Sequence, residues 1–177
     1  MPPIDKSQRP FQSVRVAIMT VSDTRTEESD TSGRALSVAV TTDGHLVATK
    51  VIVPDNKYRI REVISQWIVD ETIQVIISSG GTGVTGRDVT PEAVAPLFDK
   101  QIDGFGELFR YVSIAEVGTA TLQSRAIAGI ANGTLIFCLP GSTGAVRTAW
   151  NEILRHQLDV RYSPCNLVEL LPRLREQ

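Results

Sequence analysis

Apolar positions along the chain recur at two different spacings, and the two alternate. Val14–Val21, "VRVAIMTV", is a continuous β-branched run closed by the polar segment "SDTRTEESD". It predicts a strand covered on both faces. Asp30, Thr31 and Ser32 follow with N-cap chemistry, predicting a helix from about Ser32 to Thr42, with Gly44 positioned to close it. "HLVATKVIV" predicts a second strand, stopped by Pro54. Ile60, Val63, Ile64, Trp67 and Ile68 then recur at i, i+3, i+4, i+7 and i+8, one face of a helix.

The alternation continues. "IQVIISS" predicts a third buried strand, and the segment Thr90-Pro91-Glu92 opens a helix with Thr90 as its N-cap. Phe105, Leu108, Phe109 and Val112 give the next helical face. "RAIAGIANGTLIFCLPG" predicts two short strands turned at Asn132-Gly133. A long helix carries Val146, Trp150, Ile153, Leu154 and Leu158, and "NLVELLPRL" adds a short terminal one. Trp67 and Trp150 fall on apolar faces and are expected in the core; His45 and His156 share no ligand spacing and are expected at the surface. Strand-helix order of this kind favours an α/β fold: a mostly parallel sheet with helices on both faces.

Composition narrows the class. At 177 residues the chain suits one domain, residues 13–177, behind a flexible tail, residues 1–12, that lacks a signal peptide's apolar centre. A net charge of −2 and the lack of a basic stripe argue against nucleic acid. Cys138 and Cys165 form neither a disulfide framework nor a metal spacing, so a reducing cytoplasm fits. Ala126–Val146 carries no formal charge, but glycines, Asn132 and Pro140 interrupt it, so turns and strands explain it better than a membrane span.

In such sheets ligands bind beyond the carboxyl ends of the strands. Three loops are predicted there: "SDTRTEESD", Ser79–Val89 and "PGSTG". The middle one, "SSGGTGVTGRDV", satisfies G-x-G-x-x-G at Gly81, Gly83 and Gly86. It lacks the fingerprint's context, because the helix starts later and no acid ends a following strand. A Walker A loop is also excluded, since Arg87-Asp88 stands where Lys-Ser/Thr is needed. What survives is the chemistry: bare backbone lets N–H groups approach an anion, and Thr82 adds a hydroxyl. Asp88 lies outside capping distance of the helix; it closes a local turn or serves function. Asp55 either caps the Ile60 helix, as Asn56 could, or serves function. If strands two and three are neighbours, both acids reach one cleft and can seat Mg2+ with substrate phosphate.

"SGGTG" (Ser79–Gly83), "RDVTPEA" (Arg87–Ala93), "DGFGELFR" (Asp103–Arg110) and "LPGS" (Leu139–Ser142) resemble the MoaB/MogA family of molybdenum-cofactor biosynthesis proteins, with the later segments closer to the MoaB branch. The resemblance implies a three-layer α/β/α fold and a homotrimer or hexamer. It implies binding of molybdopterin and attack of its terminal phosphate on the α-phosphorus of Mg-ATP. A MoeA-type partner would receive the product. It assigns Asp55 and Asp88 to metal and ATP. Ser79, Gly80, Gly81, Thr82, Gly83, Pro140, Gly141 and Ser142 become phosphate-loop positions, and Thr20–Asp23, including Ser22 and Asp23, with Glu107, further cleft positions. The resemblance leaves two activities open: adenylyl transfer, and pterin carriage without turnover.

Overall fold

The computed structural model describes residues 6–176. Six strands form one sheet in the order β2-β1-β3-β6-β5-β4. In chain order these are β1 (Arg15–Val21), β2 (Leu46–Val53), β3 (Val75–Ser79), β4 (Lys100–Gln101), β5 (Ile127–Ala131) and β6 (Thr134–Leu139). The four strands β2, β1, β3 and β6 run parallel; β5 and β4 add an antiparallel edge. The helices are α1 (Thr31–Thr42), α2 (Lys57–Ile68), α3 (Thr90–Val94), α4 (Asp103–Val117), α5 (Thr143–Ala149) and α6 (Arg155–Gln157). A π-helical turn, Trp150–Leu154, joins the last two.

Alternate residues of the buried strands feed two cores, which makes the three layers. Val16 and Ile18 of β1, Val75 and Ile77 of β3, and Leu135 and Phe137 of β6 pack against Leu36, Phe109, Val146 and Trp150 on one side. Ala17 and Met19, Ile76, and Ile136 and Cys138 face Ile60, Ile64 and Trp67 on the other. Strands buried on both faces need near-continuous apolar runs, and β1, β3 and β6 supply them, interrupted by buried hydroxyl residues such as Thr20, Ser78 and Ser79 at their carboxyl ends. The Asn132-Gly133 hairpin is present, with φ of 47° and 79° at the two residues. Both values fit the turn type in which both central residues take positive φ.

Several expectations change. Strands β2 and β3 are not neighbours, since β1 lies between them. Thr90 does not cap α3: its hydroxyl donates to Gly80 O at 2.8 Å, and Val89 precedes the helix without a side-chain bond. His45 is buried rather than at the surface; its Nδ1 accepts from Val14 N at 3.2 Å, between the rings of Phe11 and Trp150. Burial pushes its pKa down, against the pull of Asp43 and Asp159. Residues 1–5 of the expected tail lie outside the described residues. Within residues 6–12, Lys6 is buried and donates to Pro164 O, Arg9 pairs with Glu169, and Phe11 packs on His45. No helix among the described residues is long and apolar enough to cross a membrane.

Candidate functional site

Register brings the strand ends level. Thr20 pairs with Ser79, Ser79 with Leu139, and Val21 with Val53. The loops that follow therefore leave one edge of the sheet, on either side of the point where chain order reverses between β1 and β3. That is where open α/β sheets hold ligands. A cavity of about 530 Å³ opens there. Its wall includes Ser22, Ser79, Gly80, Gly81, Thr82, Gly83, Asp88, Pro140, Gly141 and Ser142. Thus all three predicted loops contribute.

The glycines are needed for contact. Gly80 has φ of 109°, and a Cβ there would sit 2.2 Å from Val21 O. Gly81 has φ of 66°, with Thr90 Oγ1 2.4 Å from its Cβ position. At Gly141 a Cβ would come 3.1 Å from the Cα of Gly80, so two loops touch backbone to backbone. Gly80 N–H is used on Leu139 O, and Gly83 N–H bonds Asp88. The N–H groups of Gly81 and Thr82 find no protein acceptor among the described residues. An anion held by the main chain would take these two. The helix beyond contributes little dipole, because α3 is only five residues long.

Both acids flank this loop. A Cβ at Gly81 would lie 3.4 Å from Asp55 Oδ1, and one at Gly83 would lie 2.8 Å from Asp88 Oδ2. Asn56 caps α2, accepting from Tyr58 N and Arg59 N, so Asp55 is free of that task. Instead Asp55 and Asp23 clasp each other: Asp23 N–H donates to Asp55 Oδ2 at 3.1 Å, and Asp55 N–H to Asp23 Oδ1 at 3.0 Å. Arg87 pairs with Asp23. Burial and the charge of Asp23 raise the Asp55 pKa, opposed by the Asp23 N–H bond and by Arg87; Asp88 adds a smaller push upward. Asp88 goes the other way. Burial works to raise it, but Thr85 donates from Oγ1 at 2.6 Å and N at 2.9 Å, and Gly83 N–H and Arg125 add to these, so it ends below its ordinary value.

Not every predicted residue enters the cavity wall. Asp55 and Asp23 stand beside it, at the outer flank of the glycine loop. Glu107 lies on another face of α4, in a separate hollow with Gly106 and Arg125. Among the described residues no group of three or more His, Cys, Asp or Glu side chains is placed to hold a metal ion. Two carboxylates and the oxygens of a bound phosphate still make the all-oxygen set that Mg2+ takes.

The structure also adds residues. Arg125 braces the glycine loop from behind, donating from Nε to Gly83 O at 2.7 Å and from Nη2 to Asp88 O at 2.8 Å, while pairing with Glu92. Nothing in "LQSRAIAG" singles this arginine out. Asp30 is fully buried under the cleft, accepting from Gly33 N at 2.9 Å and pairing with Lys50 at 3.1 Å. The far wall of the cavity comes from α4 and the turn after it, including Phe109, Glu116 and Thr121.

Residues 17–160 match the family described as a probable molybdopterin binding domain. Molybdenum cofactor biosynthesis protein B of Escherichia coli (strain K12) is 54% identical over 156 residues, covering 88% of this chain and 92% of that protein. A crystal structure of a molybdenum cofactor biosynthesis protein B superposes with a TM-score of 0.84 at 41% identity, over 94% of this chain and 98% of that one. The tungsten cofactor synthesizing protein MoaB from Pyrococcus furiosus gives 0.77 at 33% identity, over 93% and 99%.

Proposed function

The chain belongs to the MoaB/MogA family of molybdopterin-binding domains, and from that premise we propose that it acts in molybdenum cofactor biosynthesis, binding molybdopterin and transferring AMP to its terminal phosphate from Mg-ATP. One observation carries this reading: Asp55 and Asp88 flank the same glycine loop, whose Gly81 and Thr82 N–H groups are unpaired.

The loop N–H groups bind phosphate oxygens, and Asp55 and Asp88 are the residues that would hold Mg2+, which when bound would supply offsetting positive charge at the phosphates. An oxygen of the pterin's phosphate bonds to the α-phosphorus, the bond from that phosphorus to the bridging oxygen breaks, and pyrophosphate leaves. The attacking phosphate is already ionised, so no general base is required. This agrees with a cavity wall that contains no histidine. Hydrogen bonds from Gly80 N to Leu139 O, from Thr90 N to Gly81 O and from Thr90 Oγ1 to Gly80 O hold the loop in one shape before the ligand arrives. As in the family it resembles, the chain is expected to form a homotrimer or hexamer and to pass its product to a MoeA-type partner.

A pterin carrier without turnover is the second reading. It draws on the position of Asp55, which stands outside the cavity wall and is already bonded to Asp23. Pyrophosphate release from ATP on adding molybdopterin separates the two. Release is expected, and Asp88→Ala is expected to lower it by about 100-fold, the scale of losing one electrostatic stabiliser. Pterin binding with no pyrophosphate would establish the carrier.

A further inference from the structure

Three charged side chains line the cavity: Arg25, Asp88 and Glu116. Arg25 and Asp88 belong to loops at strand ends, beside the phosphate-binding main chain. Glu116 stands apart from them on the last turn of α4, and the transfer step described above leaves it unused. Thr148 of α5 donates to its Oε2 at 2.5 Å. Oε1 has no such partner and faces Gly144, where a Cβ would lie 3.2 Å away. A bare position at 144 therefore keeps space around this oxygen. The neighbouring wall is mostly apolar, with Phe109, Val117, Ala120 and Ala145 beside the hydroxyl residues Ser113 and Thr121.

A carboxylate on an apolar wall repels phosphate, so a polyanion is directed to Gly81, Thr82 and Arg25 instead. What the carboxylate accepts is N–H. A flat heterocycle with a ring N–H beside an exocyclic amino group offers two parallel donors, and its faces suit the apolar wall. Pterin carries such an edge. Adenine does not, since its amino group stands between ring acceptors.

Resting on the pterin-binding reading above, we propose that Glu116 is a specificity-determining residue that accepts from the ring N–H and amino group of the pterin. The heterocycle then lies towards α4 and α5, with its phosphate towards the glycine loop. Thr148 holds the carboxylate at the angle this needs, and Gly144 leaves it room.

Fluorescence titration of the full chain with pterin and with lumazine, which has an oxo group in place of the amino group, tests this. The chain is expected to bind pterin at least about ten-fold tighter than lumazine, because a site built for a donor is left unpaired by its loss. Glu116→Gln is expected to erase the preference while leaving ATP affinity unchanged. Thr148→Val, which frees the carboxylate without removing it, is expected to weaken pterin binding a few-fold. Equal affinity for the two heterocycles, or a preference that survives Glu116→Gln, overturns the proposal. So does a Glu116→Gln variant that loses discrimination between ATP and ITP, since the carboxylate would then read the nucleotide's amine. Pterin preference without pyrophosphate release would sink the transfer reading and leave Glu116 in its role. Pyrophosphate release without pterin preference would do the reverse.

Discussion

Asp55 and Asp88 were both candidates in the sequence, Asp55 with the stronger capping alternative, and they flank one glycine loop in the structure, yet their surroundings act on them in opposite directions. Asp55 is partly buried next to another acid, Asp23, and its pKa is raised. Asp88 is wrapped by the Thr85 turn and backed by Arg125, and its pKa is lowered. The difference separates two ways of keeping a carboxylate at a polyanion site. One acid is held by a local turn that satisfies it before any ligand arrives. The other is left short of partners, so that a bound cation would relieve it. By this reasoning Asp88 shapes the loop as well as the site, whereas Asp55 depends more on the ion.

The largest test removes the acids in turn. Asp55→Ala and Asp88→Ala are both expected to cut pyrophosphate release by about 100-fold. The two should differ in stability: Asp88→Ala lowers the melting temperature more, because it dismantles the Thr85 turn, whereas Asp55→Ala removes one exposed acceptor, that of Asp23 N–H. If Asp55→Ala is fully active, the pair holds no shared ion.

Arg125→Met comes next. It would leave the half-buried Gly83 O and Asp88 O without their donors, at a cost of about 0.5–1.5 kcal/mol for each bond lost. Chemical denaturation measures this. An unchanged midpoint would mean that the Asp88 side of the loop needs no brace.

The glycines sharpen the comparison at smaller scale. Gly81→Ala faces positive φ and Thr90 Oγ1, and is expected to lose about 1–2 kcal/mol of stability. Gly83→Ala meets only the Asp88 carboxylate, a side chain that can move. Moving it loosens the Thr85 turn, so stability should fall by less than at Gly81, while ATP binding, read by titration calorimetry, weakens.

The smallest effect is a matter of sign. A carboxyl raised by folding costs stability when ionised, and the cost disappears as pH falls through its folded pKa. Asp55→Asn should therefore make the protein slightly more stable at pH 7. A carboxyl lowered by folding contributes stability above the ordinary aspartate value of 3.8, and this is lost as pH falls through its lowered pKa. Asp88→Asn should thus be less stable at pH 7 and should lose less on acidification below about 4. Melting curves from pH 3 to 7 would show the two variants diverging from wild type in opposite directions. Parallel shifts would break the contrast.

How far the site could be read beforehand depended on what each residue signals. Gly80 and Gly81 stood out as bare positions after a buried strand, which either turn the chain or bring its backbone close to something else, and the structure shows both crowded by neighbouring atoms. Ser142 before a helix is a cap by local rule, and it caps α5, accepting from Ala145 N at 3.1 Å. Thr90 obeyed the same local rule and broke it, because Gly80 O offered its hydroxyl a buried partner that no local pattern shows. Glu107 was carried over on resemblance and lies in a different hollow from the glycine loop. Asp30 was legible as the cap of α1, which it is, but its pairing with Lys50 was not. Arg125 and Glu116 are single residues without spacing or company, and a lone charge in a sequence carries no direction.

Periodicity is a property of the chain itself, so the five longer strands, the main helices and the two-sided burial of the sheet were determined by the sequence alone, whereas the two-residue β4 carries no such pattern. Alternate positions must be apolar to fill two cores, and that requirement is written into consecutive residues. Strand order is different. It places β1 between β2 and β3, and it depends on which connections pack together rather than on any one stretch. Tertiary structure decided it, and with it the meeting of Asp23 with Asp55, of Arg125 with the loop from Gly83 to Asp88, and of Glu116 with Gly144. Contacts across such separations follow from the balance of packing and desolvation over the whole fold, and no local window contains that balance.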